Sequence, residues 1–392
     1  MVIYAVVVPS RPVSTLLAAL GSATAVPVVL GVTLARAGLL GLTSPIEFFF
    51  NHIFTYLLCA MAAYASARVV YRLGSDVSRA RELGSYRLTE RLGSGGMGEV
   101  WRATHETLAR PAAIKFIRPE AFAGSSPGDA AVALKRFELE ARATASLSSA
   151  HTINLYDYGA TDSGMFYYVM ELLDGLDLQH LVRRFGPVPP ARAIHLLTQA
   201  CESLDEAHSK GLIHRDIKPA NIYACRSGTR CDFVKVLDFG LVAKQSAMTG
   251  ADPRLTLPDT ATGSPAFMPP EVASGIPVDG RADLYALGCV AYWLVTGQLV
   301  FDGATIFEVI SQHLHATPVP PSRRAGVAMP PELDALILCC LEKSREARPA
   351  NARELGRRLR AVPLDGAWGD AHAEAWWGMH LPPGSVAVPA AD

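Results

Sequence analysis

The chain has 392 residues, half of them hydrophobic, and its 36 Lys and Arg against 37 Asp and Glu leave a formal net charge of −1. That balance carries no bulk basic signal for nucleic acid. Seven cysteines without a C-x-x-C or an alternating Cys/His pattern argue against a structural zinc site or a disulfide framework.

The hydrophobic excess comes first along the chain. Val13–Ala35 contains no charge and is long enough to cross a bilayer, which takes about 20 residues. Pro27 and Gly31 would break a soluble helix but are tolerated in a membrane one. A second run, Ile53–Ala67, extends to Val70 if Arg68 snorkels. We therefore predict a membrane region over residues 1–71 with two transmembrane helices, at 13–35 and 53–70, in contact with the lipid bilayer. A buried helical pair is the soluble alternative. A signal peptide cleaved near Ala23-Thr24-Ala25 is another, weakened by the lack of a basic cluster before Arg11. Arg68, Arg72, Arg79, Arg81 and Arg87 crowd the exit of the second run, against Arg36 between the two. The positive-inside rule then places everything downstream in the cytoplasm. Residues 72–85 form a linker in which Ser75–Leu83 reads as helical, broken by Gly84-Ser85.

Leu92-Gly93-Ser94-Gly95-Gly96-Met97-Gly98-Glu99-Val100 reads as a hairpin whose glycines let backbone approach phosphate. A lone G-x-G-x-x-G also fits a Rossmann turn, but Val100 continues a strand rather than opening a helix. Ala112-Ala113-Ile114-Lys115 supplies a lysine within a short apolar strand. The helical stretch Ala131–Leu147 offers Glu138 and Glu140 as carboxylates to hold that lysine. Tyr167–Leu173 reads as a buried strand with Met170 in the core.

Ile213-His214-Arg215-Asp216-Ile217-Lys218-Pro219-Ala220-Asn221 and Asp238-Phe239-Gly240 carry the chemistry. They supply a carboxylate that can accept a hydroxyl proton, a lysine beside it, and two hard oxygen ligands for Mg²⁺. Phosphoryl transfer proceeds through a loose transition state, so positioning and charge stabilisation are most of the catalysis. A polar surface turn and an ordinary strand end would explain either piece alone, not the ordered set.

From about Tyr86 to Val362 the ordered motifs resemble the eukaryotic-like serine/threonine protein kinases of bacteria. The resemblance implies an α+β, two-lobed fold, with an antiparallel β N-lobe, a helical C-lobe and ATP between them. It divides the chain into a catalytic domain at 86–362 and a C-terminal tail at 363–392. Under it, Leu92, Gly93, Gly95, Gly98, Val100 and Ala113 cover the nucleotide, and Lys115 grips the α/β-phosphates while paired with Glu140. Met170 becomes the gatekeeper, backbone groups of Glu171 and Leu173 meet the adenine, and Asp177 meets the ribose. Asp216 takes the hydroxyl proton, Lys218 stabilises charge on the γ-phosphate, and Asn221 and Asp238 hold Mg²⁺. Lys218 favours serine or threonine acceptors in protein substrates over tyrosine. Structural support is expected from a Glu271–Arg348 ion pair and from Asp283 bracing the catalytic loop.

The resemblance has departures and extensions. Tyr223 stands where a medium aliphatic residue lies under the adenine, and Cys225–Cys231 lengthens a turn, its thiols read as free in a surface hairpin rather than a redox pair. Between Asp238 and Glu271, Thr260 is the expected site of activating autophosphorylation, with Thr262 and Thr256 next, by transfer within a homodimer, the phosphate pairing with an arginine such as Arg215. Trp368, Trp376 and Trp377 in the tail are expected to pack back onto the C-lobe rather than to dock a partner. The reading is an active kinase on the bacterial cytoplasmic membrane, with the kinase facing the cytoplasm. A membrane-anchored pseudokinase scaffold that binds partner proteins is the alternative. Pseudokinases lose the lysine, the catalytic aspartate or the metal aspartate, and Lys115, Asp216, Asn221 and Asp238 are all present.

Overall fold

The computed structural model describes residues 82–95, 98–117, 129–161, 165–239, 265–326 and 328–382, with isolated positions before residue 82. Two compact units, Met1–Leu88 and Thr89–Asp392, make up the chain. Among the described residues no helix is long and apolar enough to cross a membrane. The two predicted spans lie outside the described residues except at a few isolated positions. The helical reading of the linker is corrected at its end. Glu82–Leu83 is a short strand, β1, antiparallel to the start of β2 (Tyr86–Gly95) in the register Glu82↔Arg87 and Leu83↔Tyr86. Gly84, at φ 58°, turns the chain where a side chain would be strained, and the ladder replaces the helix.

In the second unit the larger sheet is ordered β2, β3 (Gly98–His105), β4 (Pro111–Ile117), β6 (Phe166–Glu171), β5 (Leu155–Ala160). Antiparallel ladders join β3 to β4, β4 to β6 and β6 to β5. Helix α1 (Asp129–Ala145) lays Phe137 and Ala141, one turn apart, on this sheet. Both are fully buried against Ile117, Phe166 and Tyr168, and the Phe137 ring lies 4.9 Å from Phe166 and 4.4 Å from Tyr168.

Gly98 has a reason within the fold for being glycine. Its φ is 148°, and a Cβ there would sit 1.8 Å from the Phe116 carbonyl oxygen. The β4 backbone by itself therefore forbids a side chain. Gly98→Ala is expected to destabilise the domain by about 1–3 kcal/mol, as overpacking does, and a thermal melt would show it.

The C-lobe holds a smaller antiparallel sheet, β7 (Asp174–Asp177), β8 (Ile222–Ser227) and β9 (Arg230–Val236), and the helices α2 (Leu178–Phe185), α3 (Pro190–Ser209), α4 (Pro270–Ala273), α5 (Arg281–Thr296), α6 (Ile306–His315), α7 (Pro331–Cys340), α8 (Ala352–Arg360) and α9 (Asp370–His380). Leu284, Leu287, Val290, Leu294 and their neighbours leave α5 apolar on nearly every side, so it runs through the centre of the core. Cys225 and Cys231 are free in a hairpin, as expected, but they stand in its strands rather than in a lengthened surface turn. Gly228-Thr229 makes a tight turn, Cys225 is buried within β8, and Cys231 is half-buried in β9, both thiols free. The tail tryptophans do pack on the C-lobe: Trp377 is 1% exposed, and Trp376 lies edge-on to Phe185 at 4.9 Å.

Glu206 on α3 ties down the loop that follows α1. Its carboxylate accepts the Ser148 and Ser149 amides at 2.8 and 2.6 Å, the Ser148 hydroxyl at 2.8 Å and Lys210 Nζ at 2.8 Å. Burial pushes this carboxyl up, but the donors outweigh it and bring the pKa down to about 2. A depressed carboxylate stabilises the fold above its unfolded pKa, and that stability is lost as pH falls through the folded one. Glu206→Gln is therefore expected to be less stable than wild type at neutral pH, the gap closing between about pH 4.5 and 2. Urea titrations along that pH series would check it.

Candidate active site

The candidate site is built on the loop between α3 and β8. Asp283, in the first turn of α5 and 1% exposed, accepts the His214 and Arg215 amides and His208 Nε2, each at 2.8 Å. This bracing is the one expected of Asp283. It holds Arg215 in a left-handed backbone at φ 66°, a conformation costly for a residue with a side chain. His214 bonds the Leu237 carbonyl through Nε2 at 2.7 Å and receives the Asp216 amide at Nδ1 at 3.3 Å. These bonds require the Nε2–H tautomer, because a carbonyl can only accept.

Past that brace, Asp216 Oδ2 accepts Lys218 Nζ at 2.7 Å and Asn221 Nδ2 at 3.0 Å. Asn221 Nδ2 also donates to the Asp216 carbonyl at 2.8 Å. The 3₁₀ turn Pro219–Asn221 brings the three side chains together. Asp238 follows β9 at φ 62°, a second left-handed non-glycine position. Lys115, reaching across from β4, meets Asp238 Oδ2 at 2.5 Å. Burial alone would raise the Asp238 carboxyl, yet Lys115, helped by His214 and Lys218, holds it below the usual carboxylate range.

Lys115 thus pairs with Asp238, while the expected Lys115–Glu140 pair falls outside the described residues. Glu140 lies on α1, and its side chain is outside the described residues. Asn221, whose amide nitrogen is spent within the loop, and Asp238, with Oδ2 on Lys115, each retain an oxygen. Two hard oxygen donors of this kind suit a small divalent cation that fills its remaining positions with water and phosphate. Among the described residues no group of three or more His, Cys, Asp or Glu makes a metal site by itself.

Leu92, Ala113 and Met170 are buried in one apolar cluster, with Val100, Leu172 and Leu173 partly buried against it. Gly93 and Gly95 lie in β2, and residues 96–97 are outside the described residues. At the end of β6, the Glu171 amide donates to the Asn154 carbonyl at 3.0 Å. Its carboxylate takes the Asn154 amide at 2.8 Å and Lys235 Nζ at 2.6 Å. Asp177 caps α2, one oxygen on the His180 amide at 2.8 Å and the other on His180 Nδ1 at 2.6 Å. A ribose hydroxyl would share an acid already engaged twice. Burial, with the Asp177 and Asp238 carboxylates nearby, pushes the Tyr223 phenol up and keeps it neutral.

Thr256, Thr260 and Thr262 are outside the described residues. Beyond them, Glu271 on α4 forms the expected pair with Arg348, two bonds at 2.7 and 2.8 Å with both side chains buried. Neither His180 nor Lys235 stands out by pattern, since a histidine three residues after an acid and a lysine in a strand are common.

The protein kinase domain family model matches residues 86–357. Serine/threonine-protein kinase pkn3 of Myxococcus xanthus is 36% identical over 278 residues, covering 71% of this chain and 50% of that protein. Serine/threonine-protein kinase PknB of Mycolicibacterium smegmatis is 38% identical over 273 residues, covering 69% of this chain and 41% of that one. The chain thus spans half or less of the length of these relatives. The crystal structure of the Mycobacterium tuberculosis PknI kinase domain superposes with a TM-score of 0.52 at 26% identity, covering 71% of this chain and 96% of that one. Rad53, at 22% identity and a TM-score of 0.57, shares the fold. Motif order, two-lobed architecture and a family match over more than half of its length establish that the chain belongs to the protein kinase domain family.

Proposed function

We propose that the chain is a serine/threonine protein kinase that transfers the γ-phosphate of Mg-ATP to Ser/Thr hydroxyls of protein substrates. The observation that carries this is the cluster of Asp216, Lys218 and Asn221 close to the Lys115–Asp238 pair. Asp216 orients the acceptor hydroxyl and receives its proton. Lys218 balances charge developing on the transferred phosphoryl. Lys115 moves from Asp238 to the α/β-phosphates, and Asn221 and Asp238 offer their free oxygens to Mg²⁺. The metal, when bound, neutralises phosphate charge. Leu92, Val100, Ala113 and Met170 enclose the base, with Leu173 and Glu171 at its edge. Incubation with Mg²⁺ and γ-labelled ATP, followed by acid hydrolysis of a phosphorylated protein mixture, is expected to yield phosphoserine and phosphothreonine. Label on tyrosine alone would refute the acceptor class, and no label the activity.

In this reading the kinase is held at the cytoplasmic membrane by helices at 13–35 and 53–70. The exposed apolar side chains of Val28, Val29, Val32, Phe54 and Met61 support it. Pelleting with membranes through a high-salt wash is the expected behaviour, and release by salt alone would remove the anchor. Thr260, then Thr262 and Thr256, are the proposed autophosphorylation sites, modified by a second copy in a transient homodimer. Arg215, which is exposed, is the waiting cation.

A further inference from the structure

Asp232 carries four donors. It is fully buried, as is Arg192 on α3, whose Nε and Nη2 each donate to it at 2.8 Å. The other two come from the tail: Trp377 Nε1 at 2.7 Å and Trp368 Nε1 at 2.9 Å. A buried carboxylate with a guanidinium fork needs no further partner for neutrality, so the two indoles do something else.

The backbone shows what. Asp232 has φ 54° within β9, a left-handed position where a side chain is disfavoured. The ladder with β8 pairs Cys225↔Phe233 but Ser227↔Arg230, so Arg226 alone faces both Cys231 and Asp232. That is a β-bulge, and it sets the phase of the strand beyond it. Because side chains alternate with period two, removing the extra residue would turn every later one to the opposite face. Downstream, Lys235 reaches Glu171 at 2.6 Å, Val234 and Val236 are fully buried, and Asp238 meets Lys115. Both sides of the bulge are tied to the tail. Arg226 stacks over the Trp377 ring at 4.9 Å and donates to the Leu381 carbonyl, while Arg192 stacks over Trp376 at 3.8 Å. All of these tail contacts lie past residue 357, where the family match stops.

We propose that residues 363–382 form a strap in which Trp368 and Trp377 lock the β9 bulge at Asp232 and thereby position Asp238 for the metal-bound nucleotide. The inference rests on the kinase reading above. Trp368, Trp377 and Asp232 are positioning residues that touch no reactant. Loosening them lets β9 sample other phases, which spoils the placement of Asp238 while Leu92, Ala113 and Met170, carried by the larger sheet, keep their places.

The test uses the full chain in detergent and a non-hydrolysable ATP analogue, with its Kd measured by calorimetry with and without Mg²⁺. Trp377→Phe keeps a ring but removes the donor, and Asp232→Asn weakens the acceptor. Both are expected to cut the Mg²⁺-dependent gain in affinity at least threefold, with the Mg²⁺-free Kd within twofold of wild type. Leu336→Ala, a core truncation on α7, is expected to lower Tm and keep the wild-type gain. Should Asp232→Asn fail to fold, Trp377→Phe decides. A full gain in Trp377→Phe, or an equal loss in Leu336→Ala, overturns the strap. No Mg²⁺ dependence in the wild type overturns the kinase reading and the strap with it.

Discussion

Replacing Asp216 with asparagine is expected to slow phosphoryl transfer about 10²–10⁴-fold, the range spanned by a general base, with nucleotide affinity little changed. The amide matches the carboxylate in size, so Lys218 and Asn221 keep a partner oxygen near 2.7 and 3.0 Å. What disappears is the basic site for the hydroxyl proton and the negative charge beside Lys218. The proposed function puts nucleotide affinity on different groups, the cluster of Leu92, Ala113, Val100 and Met170 together with Lys115. Initial rates of phosphate incorporation and calorimetric nucleotide binding on the same preparation separate the two effects. A rate within tenfold of wild type would show that Asp216 does not serve as the base.

Truncating either side of the Glu271–Arg348 pair is expected to cost about 3–5 kcal/mol, because it strands a buried charge. Typical domains are stable by only about 5–15 kcal/mol, so each single variant should be close to unfolding at 37 °C. Arg348 also donates to the carbonyls of Glu342, Lys343 and Arg281, which places Arg348→Ala at the upper end. The double variant Glu271→Leu/Arg348→Met should recover much of the loss, since replacing both charges by apolar groups is often nearly neutral. Urea unfolding reads all three. A single-variant loss below about 1 kcal/mol, the value typical of an exposed pair, would mean that water reaches the site.

Much of the site is legible in the sequence, because the proposed chemistry needs a short loop that places a base, a lysine and an amide within reach of one phosphoryl. Asp216, Lys218 and Asn221 lie within six consecutive residues, and their spacing alone brings them together. The two lobes followed from the ordered motifs, and the Glu271–Arg348 and Asp283 contacts from the resemblance. Partners chosen by three-dimensional proximity were not legible. The contact of Lys115 with Asp238, 123 residues away, is of this kind. The charged linker suggests a helix, yet the turn at Gly84 folds Leu83 back as a strand. Tail tryptophans announced burial, since indoles are costly to expose. Nothing in the pattern around Asp232 announced that it would receive them, because an acid in a hairpin is ordinarily solvated.

The packing of α9 also decides where this module can be divided. A cut at the end of the family match would leave the guanidinium of Arg192 and the carboxylate of Asp232 facing solvent, and the cavity that held Trp377 and Leu381 open. Recombination that joins catalytic domains to new partners would therefore have to carry the residues from 358 to Leu381 across the junction. Shuffling at this end of the chain is constrained by two indoles rather than by the boundary that sequence similarity draws.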